Sequence, residues 1–206
     1  MKIKIFADTI CGWCYIGHTR LLKAFSNFEK IPFDVEHKPF QLNPNMPKRG
    51  VNRLDYLKSK FGSKEAAQPM YDSMTTEALK ENLNFNLDKI QVTPNTCLSH
   101  ILIKLAFTKK IGHLVLSEIY NSYFSKGEDI GDADILISIG ESQNISEKEI
   151  IDLFSSKKEI SDINKSDIDA RSIGINGVPF FVINNKTYIS GAQSSANLIE
   201  AIKINL

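Results

Sequence analysis

Long hydrophobic runs, charge of one sign and cysteine are all scarce in this chain, and each scarcity excludes something. No apolar run approaches the roughly 18 residues that a membrane-spanning helix needs. The formal net charge is only +1 over 206 residues, with 25 Lys and Arg interspersed among 24 Asp and Glu. Such a surface offers no field for steering onto nucleic acid or an anionic membrane. The three cysteines, Cys11, Cys14 and Cys97, are too few and too odd in number for a disulfide-stapled secreted scaffold. The opening MKIKIFADTI has too short an apolar stretch for a signal peptide, and no small-residue cleavage site follows it. Together these absences lead to the expectation of a cytoplasmic protein. The length suits one domain, or one domain with a large insertion, and can bury a core without staples.

The segments that are present alternate in kind. KIKIF (2–6) has the period of a short strand, and PFDVEHKPFQL (32–42) predicts a second one through Phe33, Val35 and His37. Between them, Cys14, Tyr15, Leu21, Leu22 and Phe25 fall on one helix face. NPNMPKRG (43–50) is a loop by its prolines and glycine. From residue 53 to about 160 only helical patterns follow. Ser63 is a candidate cap, Pro69 interrupts a helical run, and Leu98, Ile101, Leu102 and Leu105 form a buried helix face. After a further helix closing near Gly174, VPFFVIN and KTYISG read as a hairpin around Asn184–Asn185, and a last helix ends the chain. The split strands predict an α/β unit of residues 1–44 and 161–206, interrupted by an all-helical domain over 45–160. Two domains in tandem would not divide the strands this way.

Cys11-Gly12-Trp13-Cys14 is the chemical centre of this pattern. A CxxC at the first turn of a helix puts two sulfurs within bridging distance, and the free N–H groups there stabilise a thiolate. The first cysteine then attacks a disulfide and the second resolves the mixed disulfide. A zinc site needs four ligands. Cys97 is the only further cysteine, and His18, His37, His100 and His113 show no close spacing, so no metal site is expected. Two structural free cysteines remain the bland alternative. Pro179, in GVPFFVI, begins a strand, where proline is tolerated because no ladder donor is required. Base rates favour a trans bond there.

The segments CGWCYIG, KPFQLNPNMP, YLKSKFG, NTCLSH, NSYFSKGEDIGD, ARSIGINGVPFFVI and ISGAQ occur in one order across nearly the whole chain. In this the chain resembles the DsbA-like branch of the thioredoxin superfamily, and within it the cytoplasmic FrnE-like proteins. The resemblance implies an α/β thioredoxin-like fold with a helical insertion. It also implies a thiol–disulfide oxidoreductase with a nucleophilic Cys11, a resolving Cys14, and a cis Val178–Pro179 bond that presents backbone to an extended substrate. The family more often has proline at Gly12. The dipeptide tunes the redox potential, which makes Gly12 a tuning candidate. Asp8, three residues before Cys11, is a second, as a proton relay to Cys14, although an Asp here is also a common turn residue. Trp13 offers a flat face to substrate.

The redox centre is the cysteine pair, so no cofactor is expected, and partners are protein or small-molecule thiols and disulfides. Glutathione is a candidate substrate, held near Val178 and the Gly191–Ala192–Gln193 turn, and kinship is compatible with a homodimer. The alternative implied by the same branch is a glutathione-dependent isomerase or transferase, like the kappa-class transferases and 2-hydroxychromene-2-carboxylate isomerases. Those relatives usually lack the cysteine pair. His37 reads as an ordinary strand histidine, His100 as a satisfied buried one, and Cys97 as a buried small hydrophobe.

Overall fold

The computed structural model describes residues 1–206. Strand β1 (Lys2–Ala7) leads through a short turn into α1 (Gly12–Phe25), and β2 (Asp34–Pro39) returns parallel to β1, pairing Ile5 with His37. Far along the chain, β5 (Phe180–Ile183) lies antiparallel to β1 on its other side, with Phe6 opposite Phe180, and β6 (Thr187–Ser190) adds the outer edge. The sheet order is β2-β1-β5-β6. Three residues, Asn184 to Lys186, connect β5 to β6; Asn184 and Asn185 take φ of 50° and 56°, the left-handed pair of a tight turn that Lys186 N closes on Ile183 O at 2.9 Å. The central strand is covered on both faces. Ile3 and Ile5 enter the main core, whereas Phe6 packs with Phe40, Ala170, Ile175 and Val182 in a smaller one.

Between β2 and β5 the chain forms α2 (Arg53–Phe61), α3 (Lys64–Lys80), α4 (Cys97–Thr108), α5 (Gly112–Asn121), α6 (Ala133–Ser142), α7 (Glu147–Phe154) and α8 (Lys157–Ser172), and α9 (Ser195–Ile204) closes the molecule. Capping explains the starts. Asn52 Oδ1 accepts from Leu54 N at 2.9 Å, and Ser63 Oγ from Ala66 N at 3.1 Å. Pro69 sits inside α3, and a single π-helical turn (Ser122–Lys126) extends α5.

The insertion differs from an all-helical one in carrying a small ladder, β3 (Val51–Asn52) against β4 (Val92–Thr93). Two residues per strand are too few to leave an alternating signature in sequence. The expected boundary at residue 160 also falls within α8, which packs against both α4 and β2. The main core runs without a break from Ile3 and Phe181 of the sheet to Leu102, Tyr120 and Ile150 of the helices.

Candidate active site

Cys11 is the N-cap of α1. Its carbonyl accepts from Cys14 N at 2.9 Å and Tyr15 N at 3.2 Å, while its own N–H donates to Asp8 O at 3.2 Å. The backbone is therefore occupied in holding the first turn, and the sulfur is left free to face outward. Both cysteines are free thiols. They differ in access, Cys11 being 8% exposed and Cys14 1%.

The facing wall comes from the other end of the chain. The pairing of Phe6 with Phe180 sets the start of β5 beside the end of β1, which is where α1 begins. Cys11 Sγ donates to Val178 O at 3.7 Å, and the Val178–Pro179 bond is cis. Pro179 O accepts from Gly191 N at 2.8 Å, whereas Val178 N–H donates no hydrogen bond within the chain. Gly17 explains how close the two walls come. A Cβ there would lie 3.0 Å from Pro179 Cγ. A glycine inside a helix is the sequence signal for such an approach.

The insertion encloses this pair. Met74 of α3 lies over Gly12, where a Cβ would meet its Sδ at 2.4 Å. Trp13 is half-buried and packs against the main core. Tyr15 stacks between Phe85 and Tyr120, with ring centroids 5.7 and 4.9 Å away, and the Tyr120 hydroxyl donates to Asp8 O at 3.5 Å. The Cys14 thiol is pushed well above its ordinary value, first by burial, then by its hydrogen bond with Cys11 and the Cys11 charge. The Asp8 carboxylate adds to the rise, and a backbone contact from Asp8 opposes it. Tyr120 is raised likewise, by burial first and then by Cys14, Cys11 and Asp8. Cys14 thus rests protonated.

Asp8 is fully buried, and its Oδ2 accepts from Leu42 N at 2.7 Å, tying the CxxC turn to the segment after β2. Its Oδ1 lies 3.4 Å from His100 Nε2, outside hydrogen-bond geometry. His100 is buried, but it is not the satisfied histidine expected, because neither ring nitrogen has a hydrogen-bond partner. Helix α4 is held against Thr9 by the Ser99 hydroxyl at 2.8 Å, one residue before His100. Cys97 is half-buried rather than buried, on the first turn of α4.

The Gly191–Ala192–Gln193 turn is built into the scaffold. Ala192 O accepts from Arg20 at 2.8 Å, and the same guanidinium binds Glu77 at 2.6 Å and Glu81 at 2.7 Å. Arg20 therefore joins α1, α3 and the turn, a role no pattern in the sequence announces. The clefts of about 600 Å³ beside Pro44–Pro47 and about 540 Å³ beside Arg53 and Tyr71 contain neither cysteine. His/Cys/Asp/Glu groups that could hold a metal are absent, and no helix is long and apolar enough to cross a membrane.

A dithiol at the first turn of α1, facing a cis-proline wall at the start of an antiparallel strand, defines a thioredoxin-fold protein of the DsbA kind. The chain belongs to the DsbA-like thioredoxin domain family, whose profile matches residues 2–203. It is similar to a probable DsbA oxidoreductase from Streptomyces coelicolor, at 26% identity and a TM-score of 0.88, over 100% of this chain and 89% of that one. The fold is shared with a 2-hydroxychromene-2-carboxylate isomerase at 12% identity and a TM-score of 0.74, over 99% of this chain and 95% of the other. It is shared too with the cytosolic disulfide reductase DsbM of Pseudomonas aeruginosa with GSH, at 15% identity and a TM-score of 0.64, over 99% and 98% of the two chains.

Proposed function

We propose that this protein is a cytosolic thiol–disulfide oxidoreductase of the FrnE-like kind, working through Cys11 and Cys14. The observation that carries the reading is the asymmetry of the pair. Cys11 faces Val178 O at 3.7 Å and retains access, while Cys14 lies behind it, sealed and protonated. The Cys11 thiolate attacks a disulfide RS–SR′, forming Cys11–S–S–R and releasing R′S⁻. The Cys14 thiolate then attacks the Cys11 sulfur, the intramolecular disulfide forms, and RS⁻ leaves. The substrate gains two electrons and the pair loses two.

An extended substrate pairs with the free N–H of Val178 and lies across Pro179 and the Trp13 face, a form of strand addition. A reducing compartment keeps such a pair mostly as dithiol, so reduction or isomerisation is favoured over net oxidation. The recharging thiol is of the glutathione type, which fits the shared fold with a reductase solved with GSH. No resident cofactor is required.

The test is equilibration in glutathione buffers with alkylation and mass analysis. The expected result is a reversible Cys11–Cys14 disulfide, with a glutathione adduct on Cys11 when Cys14 is replaced. No reversible disulfide at any accessible ratio overturns the reading. Insulin reduction by wild type against Cys11→Ser then assigns direction. Turnover of a small aromatic substrate with glutathione that survives Cys14→Ala would instead support the isomerase or transferase alternative.

A further inference from the structure

Cys14 must lose its proton before it can resolve a mixed disulfide, and it lies where water does not reach. Four unpartnered buried polar atoms lead away from it. They are Asp8 Oδ1, His100 Nε2, His100 Nδ1 and His37 Nε2. A core does not retain such atoms without cost, and each calls for a reason. They are also neighbours. Asp8 acts on Cys14, Asp8 Oδ1 is 3.4 Å from His100 Nε2, and the His100 and His37 rings are 5.6 Å apart between centroids, tilted by 36°. His37 is half-buried and lines an open cleft of about 400 Å³ between β2, α4 and α8, one that neither Cys11 nor Cys14 lines, together with Lys104, Phe107, Asp162 and Ser166.

We propose that Asp8, His100 and His37 form a proton track from Cys14 through the core to this cleft. The inference rests on the redox reading above and adds to it an exit for the resolving proton. In the second step the Cys14 S–H bond breaks and its proton passes to the Asp8 carboxylate. The freed electron pair attacks Cys11 sulfur, and RS⁻ departs. The Asp8 proton moves on to His100 Nε2 when the two, 3.4 Å apart at rest, close to a hydrogen bond, and His100 releases one from Nδ1 toward His37, which delivers a proton to water in the cleft. A neutral imidazole can do this because it accepts at one nitrogen while giving up a proton from the other. Reduction of the pair runs the track inward.

The groups facing it are consistent with a neutral wire. His37 is held well below its ordinary value, by burial first and then by His100, His18 and His113. It therefore passes a proton without keeping it. His18 and His113 lie beyond Phe107, lowered to about 3 and about 4 by burial. Around the cleft mouth stand Glu36 and Lys38 on β2, Lys104 on α4 and Asp162 on α8. At the inner end the titratable neighbours of Asp8 are Cys11, Cys14 and Tyr120.

The experiment separates the two chemical steps. Reduced protein is mixed with glutathione disulfide and quenched by alkylation over time, at several pH values. Mass analysis then gives the rate of the Cys11–glutathione adduct and the rate of its conversion to Cys11–Cys14. His37→Ala and His100→Gln are expected to leave the first rate within about twofold and to slow the second about tenfold, at the low end of what a positioned acid–base group contributes. The pH dependence of the second rate should also change. Imidazole, but not pyrrole, should restore His37→Ala, since only the former carries a basic nitrogen into the cleft.

A second rate unchanged in both variants, or slowed without selective rescue by imidazole, overturns the track and leaves the redox reading intact. A wild-type protein that never forms the intramolecular disulfide overturns both. If His100→Gln fails to fold, His37→Ala at the cleft wall decides alone.

Discussion

The α/β unit and the helices inserted into it contribute different things to one site. The α/β unit contributes the two sulfurs on the first turn of α1 and the Val178–Pro179 backbone opposite them. The insertion contributes surroundings. Met74 lies against Gly12, Tyr120 closes the space behind Cys14, and His100 stands against Asp8. The same sulfurs in water would behave as ordinary thiols. Burial against α4 and α5 is what separates a reachable Cys11 from a protonated Cys14. Chemistry and its tuning are thus carried by separate stretches of chain that share one core, and each can be perturbed without the other.

The largest effect should come from the reacting side. Cys11→Ser is expected to reduce disulfide exchange to the uncatalysed rate, and Cys14→Ser to trap the Cys11 adduct, both read by mass after glutathione disulfide treatment. Neither should move the melting temperature by more than a few degrees, because each change is nearly isosteric.

On the enclosing side the order reverses, with stability affected before chemistry. Tyr120→Ala removes a fully buried ring stacked on Tyr15 and should cost about 3–5 kcal/mol, measured by denaturant unfolding. An unchanged midpoint would mean that the insertion does not share the core.

The clasp between the two regions comes next. Arg20→Ala leaves Glu81 with Lys23 and Glu77 with Lys80, so it is expected to lower the melting temperature by only a few degrees, less than the loss of a sealed pair. Burial alone would raise Glu81, but hydrogen bonds from Lys23 and Arg20 hold it below the usual carboxylate range. A depressed carboxylate contributes stability above its unfolded pKa and loses it as pH falls through the folded one. Wild type should therefore weaken on acidification below the ordinary carboxylate range, and Arg20→Ala should show a shallower slope in urea melts taken against pH.

The smallest effect should fall at Gly12→Ala. The new Cβ meets Met74 Sδ and Cε at 2.4 and 2.9 Å, the far end of a flexible side chain that can swing aside. Overpacking of about 1 kcal/mol is offset in part by better helix propensity. The reduction potential should shift more visibly than the melting temperature, and Met74→Ala in the same chain should relieve the packing part alone.

Much of the architecture was legible because it is local. Period-2 runs, the Asn184–Asn185 turn and the cap at Ser63 act within a few residues, so short segments carry them. The β3–β4 ladder escaped because two residues have no period, and Arg20 because a lone charge in a helix looks solvated until Glu77, Glu81 and Ala192 O close on it. Gly17 marks the approach to Pro179 only once a Cβ there is seen to fall 3.0 Å from Pro179 Cγ, because a helix glycine does not name its neighbour.

By itself the sequence determined that two thiols stand one helical turn apart after a first strand, and that strands at both ends of the chain frame a helical middle. These follow from spacing and period, which need no partner. Only the tertiary structure decided that Val178 faces Cys11, that Cys14 is sealed, that Cys97 is half-buried, and that His100 faces Asp8 with unpartnered nitrogens instead of sitting satisfied. Each of these depends on which distant surfaces the core brings into contact. Burial and proximity belong to the packed chain, and they set which sulfur is reachable and which is sealed.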